Sequence, residues 1–121
     1  MKKVFFALVV LMLAGTVSAA DINLGDFPLG SWTDTNYDAV WEFTSGNIRI
    51  LDLNGAVLYD FSDKTVNDFR VFLDGNSPAI SFSCVESGRS YKFVKPLTNT
   101  DIQMEINRTS LPVYKVTMKR K

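Results

Sequence analysis

From Pro28 onward the chain has one rhythm. Short segments in which apolar and polar side chains take turns are separated by tight-turn residues every eight to twelve positions or so, the pattern of an all-β sandwich or barrel. Segments 27–33, 39–44, 47–53, 56–61, 68–74, 79–85, 89–95, 100–107 and 113–119 read as nine strands. Nearly all are joined by loops of hairpin length. No helical period of useful length interrupts them, and there is no internal repeat or linker.

A meander whose strands are apolar on one face only must either close on itself or leave two exposed edges. Closure removes the edges, which are sites of aggregation. The expected fold is therefore an all-β, antiparallel up-and-down meander of eight to nine strands closed into a small barrel, with a two-sheet sandwich as the alternative. Phase assigns the faces. Trp41 with Phe43, Ile48 with Ile50, and Val57 with Tyr59 and Phe61 point inward. So do Phe69, Val71 and Leu73; Ile80, Phe82 and Cys84; Tyr91 and Phe93; Ile102, Met104 and Ile106; and Tyr114, Val116 and Met118. Phe72 falls on the opposite phase and is expected to be at least partly exposed. Asn54-Gly55 between two alternating runs predicts a type I′ hairpin, in which both central residues take positive φ.

The start of the chain reads differently. Lys2 and Lys3 precede an apolar run over 4–13, and small residues then lead to a Val17-Ser18-Ala19 cleavage pattern. This is the layout of a secretory signal. The run is shorter than the ~20 apolar residues a spanning helix needs. Residues 1–19 are thus expected to be a signal peptide cleaved near Ala19 or Ala20, and 20–121 a single β-barrel domain. Thr16 stands where a lipoprotein signal would carry Cys, so no lipid attachment and no membrane anchor are expected after cleavage. The expected location is secreted or periplasmic. Cys84 is the only cysteine of the 121 residues, so no internal disulfide can form. An exported domain without disulfides suits a bacterial envelope better than animal plasma.

Charge and residue content exclude several classes of function. Loss of Lys2 and Lys3 leaves eleven basic against thirteen acidic side chains, a net charge near −2. The only basic cluster is Lys115, Lys119, Arg120 and Lys121, so no nucleic-acid partner is expected. There is no histidine for a catalytic triad or a metal site. Asp52, Asp60, Asp63, Asp68 and Asp74 fall at strand ends and turns, where Asp satisfies local backbone groups. Their spacing does not match a calcium loop. No catalytic residue, metal or cofactor is expected, and the chain is read as a non-enzyme.

Gly30-Ser31-Trp32 opens the first strand, and Arg120 ends the last in phase with Tyr114, Val116 and Met118. A G-x-W with a distal basic residue resembles the signature of the calycin group, which includes lipocalins, fatty-acid-binding proteins and avidins. The resemblance implies that Trp32 closes one end of the barrel, with Arg120 packed across it and Gly30 beside it. An Arg stacked on an indole is a favourable cation–π pair. The chain is shorter than the usual lipocalin and lacks its C-terminal helix and disulfides, which argues against a large cavity.

Aromatic side chains are abundant. Trp41, Phe43, Tyr59, Tyr91 and Tyr114 are the candidate lining of a pocket for a small apolar or aromatic molecule. The competing reading is that these rings fill the interior of a small barrel, leaving a solid-core interaction module, such as a protease inhibitor or a binder of an envelope partner. Asp34-Thr35-Asn36-Tyr37-Asp38 is the most distinctive loop. Polar groups around a lone Tyr suit the lip of a pocket or a protein contact.

Overall fold

The computed structural model describes residues 22–121, so the expected signal peptide lies outside the described residues. Nine antiparallel strands build one sheet: β1 (Gly30–Asp34), β2 (Ala39–Thr44), β3 (Asn47–Leu51), β4 (Val57–Asp60), β5 (Val66–Asp74), β6 (Ser77–Cys84), β7 (Arg89–Val94), β8 (Ile102–Arg108) and β9 (Tyr114–Arg120). Their order across the sheet is β4-β3-β2-β1-β9-β8-β7-β6-β5. The sheet curls with its apolar face inside. First and last strands are neighbours, Trp32 opposite Arg120 and Thr33 opposite Lys119.

The two free edges belong to β4 and β5, which are consecutive in the chain. Parity explains this. Every neighbouring pair is antiparallel, so direction alternates along the sheet. With nine strands the two outermost then run the same way. Five residues, 61–65, join them, far fewer than the dozen or more a parallel crossover needs. The link instead lies at the seam between the two edges. Phe61–Asp63 forms a 3-10 turn capped by Asp60, whose Oδ1 accepts from the Ser62 N–H at 2.9 Å and the Ser62 hydroxyl at 2.7 Å. Phe61 was expected to extend the fourth strand. It drops into the seam instead, fully buried, with its ring 5.0 to 6.0 Å from those of Tyr59, Phe82, Tyr91 and Trp41. Beyond it, Thr65 O accepts from the Val85 N–H, and Glu86 accepts from the Thr65 N–H and hydroxyl.

The interior is a continuous aromatic stack. Trp32 meets Phe43, Phe43 meets Phe93, and Trp41 touches Phe61, Tyr91 and Phe93. Phe82 lies against Phe61, Phe69, Tyr91 and Phe93. One end of the curl is closed. Ile22, Leu24 and Phe27 are buried there, Leu24 donating its N–H to Ser45 O and Phe27 packing on Phe43 at 5.7 Å. This short segment runs from the β2–β3 turn towards Val71 on β5, which a Cβ on Gly25 would meet at 4.0 Å.

Trp32 and Arg120 complete the same end. Trp32 is fully buried and donates its indole N–H to Thr100 O at 2.6 Å. The Arg120 guanidinium lies 4.9 Å from the indole centroid and donates to Leu29 O at 3.4 Å. Gly30 has φ +140°, and a Cβ there would come within 2.8 Å of Arg120 Nη2. The glycine leaves room for the arginine.

Three local expectations are corrected. The Asn54-Gly55 turn is not type I′, because only Gly55 has a positive φ (+90°). Asp52 O accepts from the Gly55 N–H, and Asp52 N–H reaches Ala56 O. Asp52 Oδ1 holds the N–H groups of Asn54 and Ala56. This is a three-residue connection in which a left-handed glycine follows an ordinary turn. Second, Val71 and Leu73 are 41% and 67% exposed. They keep the inward phase, opposite Ile80 and Pro78, but β5 is an edge strand with nothing paired beyond it. Third, Val57 on the other edge is likewise exposed.

Candidate functional site

The end of the curl opposite Trp32 is open, and its rim is built by the last inward-phase residue of several strands. On β1 the row Trp32, Asp34 ends in a carboxylate. On β7 the row Phe93, Tyr91 ends in Arg89, and on β8 the row Met104, Ile106 ends in Arg108. Tyr114 starts β9 opposite Ile106. Below the rim lies a cavity of about 260 Å³ lined by Asp34, Tyr37, Ala39, Trp41, Ile50, Arg89, Met104, Ile106, Arg108 and Tyr114. Its floor is the Trp41 indole, which rests on Phe61, Tyr91 and Phe93. Beneath that floor the barrel is packed.

The 34–38 loop forms the lip. Asp34 Oδ1 accepts from the Asn36 N–H at 2.9 Å, and Tyr37 N–H returns to Asp34 O at 3.3 Å. Asp38, at φ +53°, turns the chain into β2; Asp tolerates that left-handed conformation better than most residues. The turn leaves Tyr37 two-thirds exposed, with its ring edge-on to Tyr114 at 5.5 Å. Asp34 is only 2% exposed. The Tyr114 hydroxyl donates to it, lying 2.8 Å from Oδ2 and 3.1 Å from Oδ1, and accepts from Asn36 Nδ2 at 2.9 Å. Burial pushes the Tyr114 phenol above its usual range. The bond from Asn36 opposes the shift, and the bond to Asp34 adds to it.

The structure divides the residues singled out in the sequence. Trp41 and Tyr114 line the open cavity, as floor and wall. Phe43 and Tyr91 belong to the packed core. Tyr59 stands at the seam, its hydroxyl 3.7 Å from Cys84 Sγ and its ring under Lys64 Nζ. Burial, then the contact with Cys84, raises the Tyr59 phenol far above its ordinary value. Gly30, Trp32 and Arg120 sit at the closed end, remote from the cavity. Asp34 belongs to the loop singled out in the sequence as a pocket lip, whereas Arg89 and Arg108 were missed. Extending the β7 and β8 alternations to the ends of their runs would have found both arginines.

Cys84 is buried at the seam, and no trio of Cys, Asp and Glu among the described residues could hold a metal ion. A depression of about 320 Å³ on the outer face of β5–β8 is lined largely by polar side chains, including Ser81, Ser83, Ser90, Lys92, Glu105 and Asn107. Lys92 there is already paired with Asp74 at 2.9 Å. No protein-family model, curated protein or solved structure matches the chain.

Proposed function

We propose that the protein is an exported, lipocalin-like barrel that binds a small apolar or aromatic molecule in the bacterial envelope. The observation that carries this reading is the cup: a barrel packed solid at one end, with a cavity of about 260 Å³ open at the other and floored by Trp41. A dry cavity of roughly 150 Å³ accepts benzene. The space here suits one ring with a short substituent rather than a long lipid. The Gly30, Trp32 and Arg120 arrangement supports the calycin-like reading of the closed end.

Native mass spectrometry of the protein purified from its own host tests the proposal. A small organic molecule should co-purify, and the polypeptide should begin at Ala20 or Asp21. Recovery of the bare polypeptide, unresponsive to added one-ring compounds, would contradict binding. A Met1 terminus on the mature protein would contradict export.

A second reading, an interaction module, rests on a different observation. Val57 and Leu58 on β4 and Val71 and Leu73 on β5 are exposed beside two unpaired strand edges. Such edges can accept a strand from a partner. Leu58→Lys with Leu73→Lys should leave small-molecule binding intact and abolish an edge-mediated interaction.

A further inference from the structure

We infer that the cavity is built for an anion: a small planar acid whose ring enters the cup and whose carboxylate is held at the rim by Arg89 and Arg108. The inference rests on the binding reading above and names the ligand class.

Arg89 and Arg108 are direct cross-strand partners on β7 and β8. Like charges directly opposite one another destabilise a sheet. Both continue inward-facing rows, and both line the cavity. The ion pairs among the described residues are Arg49 with Glu42, Lys64 with Asp63, Lys92 with Asp74 and Lys119 with Asp101. Among the described residues, neither rim arginine has a carboxylate within 4 Å. On the sheet's outer face, by contrast, Arg49 and Lys92 each have one.

Asp34 shares the lining, but its oxygens are taken up by the Tyr114 hydroxyl and the Asn36 N–H. It serves to hold the lip. Arg108 is oriented by its Nε and Nη2, which both donate to Pro112 O, and its guanidinium lies 5.8 Å from the Tyr114 ring centroid. That leaves the rest of its fork, and Arg89, for a ligand. Paired guanidinium groups recognise a carboxylate through charge-assisted, often bidentate hydrogen bonds. Trp41, Ile50 and Ile106 below them supply apolar contact for a ring.

Titration calorimetry with phenylacetate and its neutral analogue phenylacetamide tests this. Phenylacetate should bind about tenfold or more tightly than the amide, and more weakly as salt rises. Arg89→Gln and Arg108→Gln should each erase most of that preference; Arg89→Gln, which removes a like-charge contact, should do so without lowering the melting temperature, whereas Arg108→Gln also loses the bonds to Pro112 O and should lower it slightly. Equal binding of acid and amide, with arginine variants unchanged, would overturn the anion inference and leave the binding reading standing. Failure of both compounds, and of neutral indole, at millimolar concentration would overturn the two together.

Discussion

Gly30→Ala should be far more costly than the addition of one methyl group suggests, and part of the cost should vanish when Arg120 is removed. Gly30 has φ +140°, a region that side-chain-bearing residues rarely adopt, and such strain costs about 1 to 3 kcal/mol. The new Cβ would also fall 2.8 Å from Arg120 Nη2 and 3.2 Å from Cζ. The arginine tip is flexible and can move away cheaply, but moving it forfeits its stack on Trp32. At an exposed site that stack is worth about 0.5 to 1 kcal/mol. The single substitution should therefore cost roughly 1.5 to 4 kcal/mol. In an Arg120→Ala background only the backbone strain is left, so the coupling should equal the stacking energy. Urea unfolding of the four proteins, followed by tryptophan fluorescence, gives the cycle. In a domain of this size each kcal/mol also moves the melting temperature by about 4 to 8 °C. Lys119→Ala is the control: its exposed ion pair with Asp101 is worth about 0 to 1 kcal/mol and should not couple to Gly30. Additive costs for Gly30→Ala and Arg120→Ala would show that Arg120 does not lie over the glycine.

Three further outcomes are expected. Gly55→Val should destabilise by about 1 to 3 kcal/mol through backbone strain alone, since φ is +90° and nothing lies within 4 Å of the added Cβ; an unshifted urea midpoint would refute the turn geometry. Cys84, 2% exposed, should react with a thiol reagent only as fast as the protein unfolds, and rapid labelling of the native state would contradict its place at the seam. The Asp60 carboxyl is held below the usual carboxylate range, chiefly by the Ser62 hydroxyl and then by Asn47 and the Ser62 N–H. A lowered folded pKa means that its stabilising contribution is complete above about pH 4 and is lost as pH falls through the folded value. Melting temperatures measured from pH 6 to 3 should fall less steeply for Asp60→Asn than for the native sequence, and parallel curves would refute the role.

The strands that alternate cleanly and lie between two neighbours were legible in the sequence. Ile80, Phe82 and Cys84, Tyr91 and Phe93, and Ile102, Met104 and Ile106 are all buried on the expected phase, because paired strands on both sides leave only the two faces to distinguish. Phase failed as a guide to burial on β5, where an edge position and a register shift between Asn67 and Arg70, with Asp68 at φ +56°, let Val71 and Leu73 out to solvent. Ile22 and Leu24 lie ahead of the first predicted segment, and Phe27, which that segment included, sits instead in an irregular stretch before β1. Phe61 is buried as its phase predicted, but it belongs to the 3-10 turn at the seam and not to β4, because the connection between the two edge strands begins there. Of the candidate site, the 34–38 loop and the aromatic floor could be read in advance. The inward phase of Arg89 and Arg108 was also legible, but their meeting at one rim was not, because it depends on which strand ends the curl brings together.

Chemical-shift mapping of the labelled protein with phenylacetate and with phenylacetamide tests the open-cup reading most directly. Perturbations should concentrate on Tyr37, the Trp41 indole, Ile106 and Tyr114, while Phe27 and Trp32 at the closed end stay unmoved. No perturbation at millimolar ligand, or one centred on the β4 and β5 edges at Leu58 and Leu73, would contradict it.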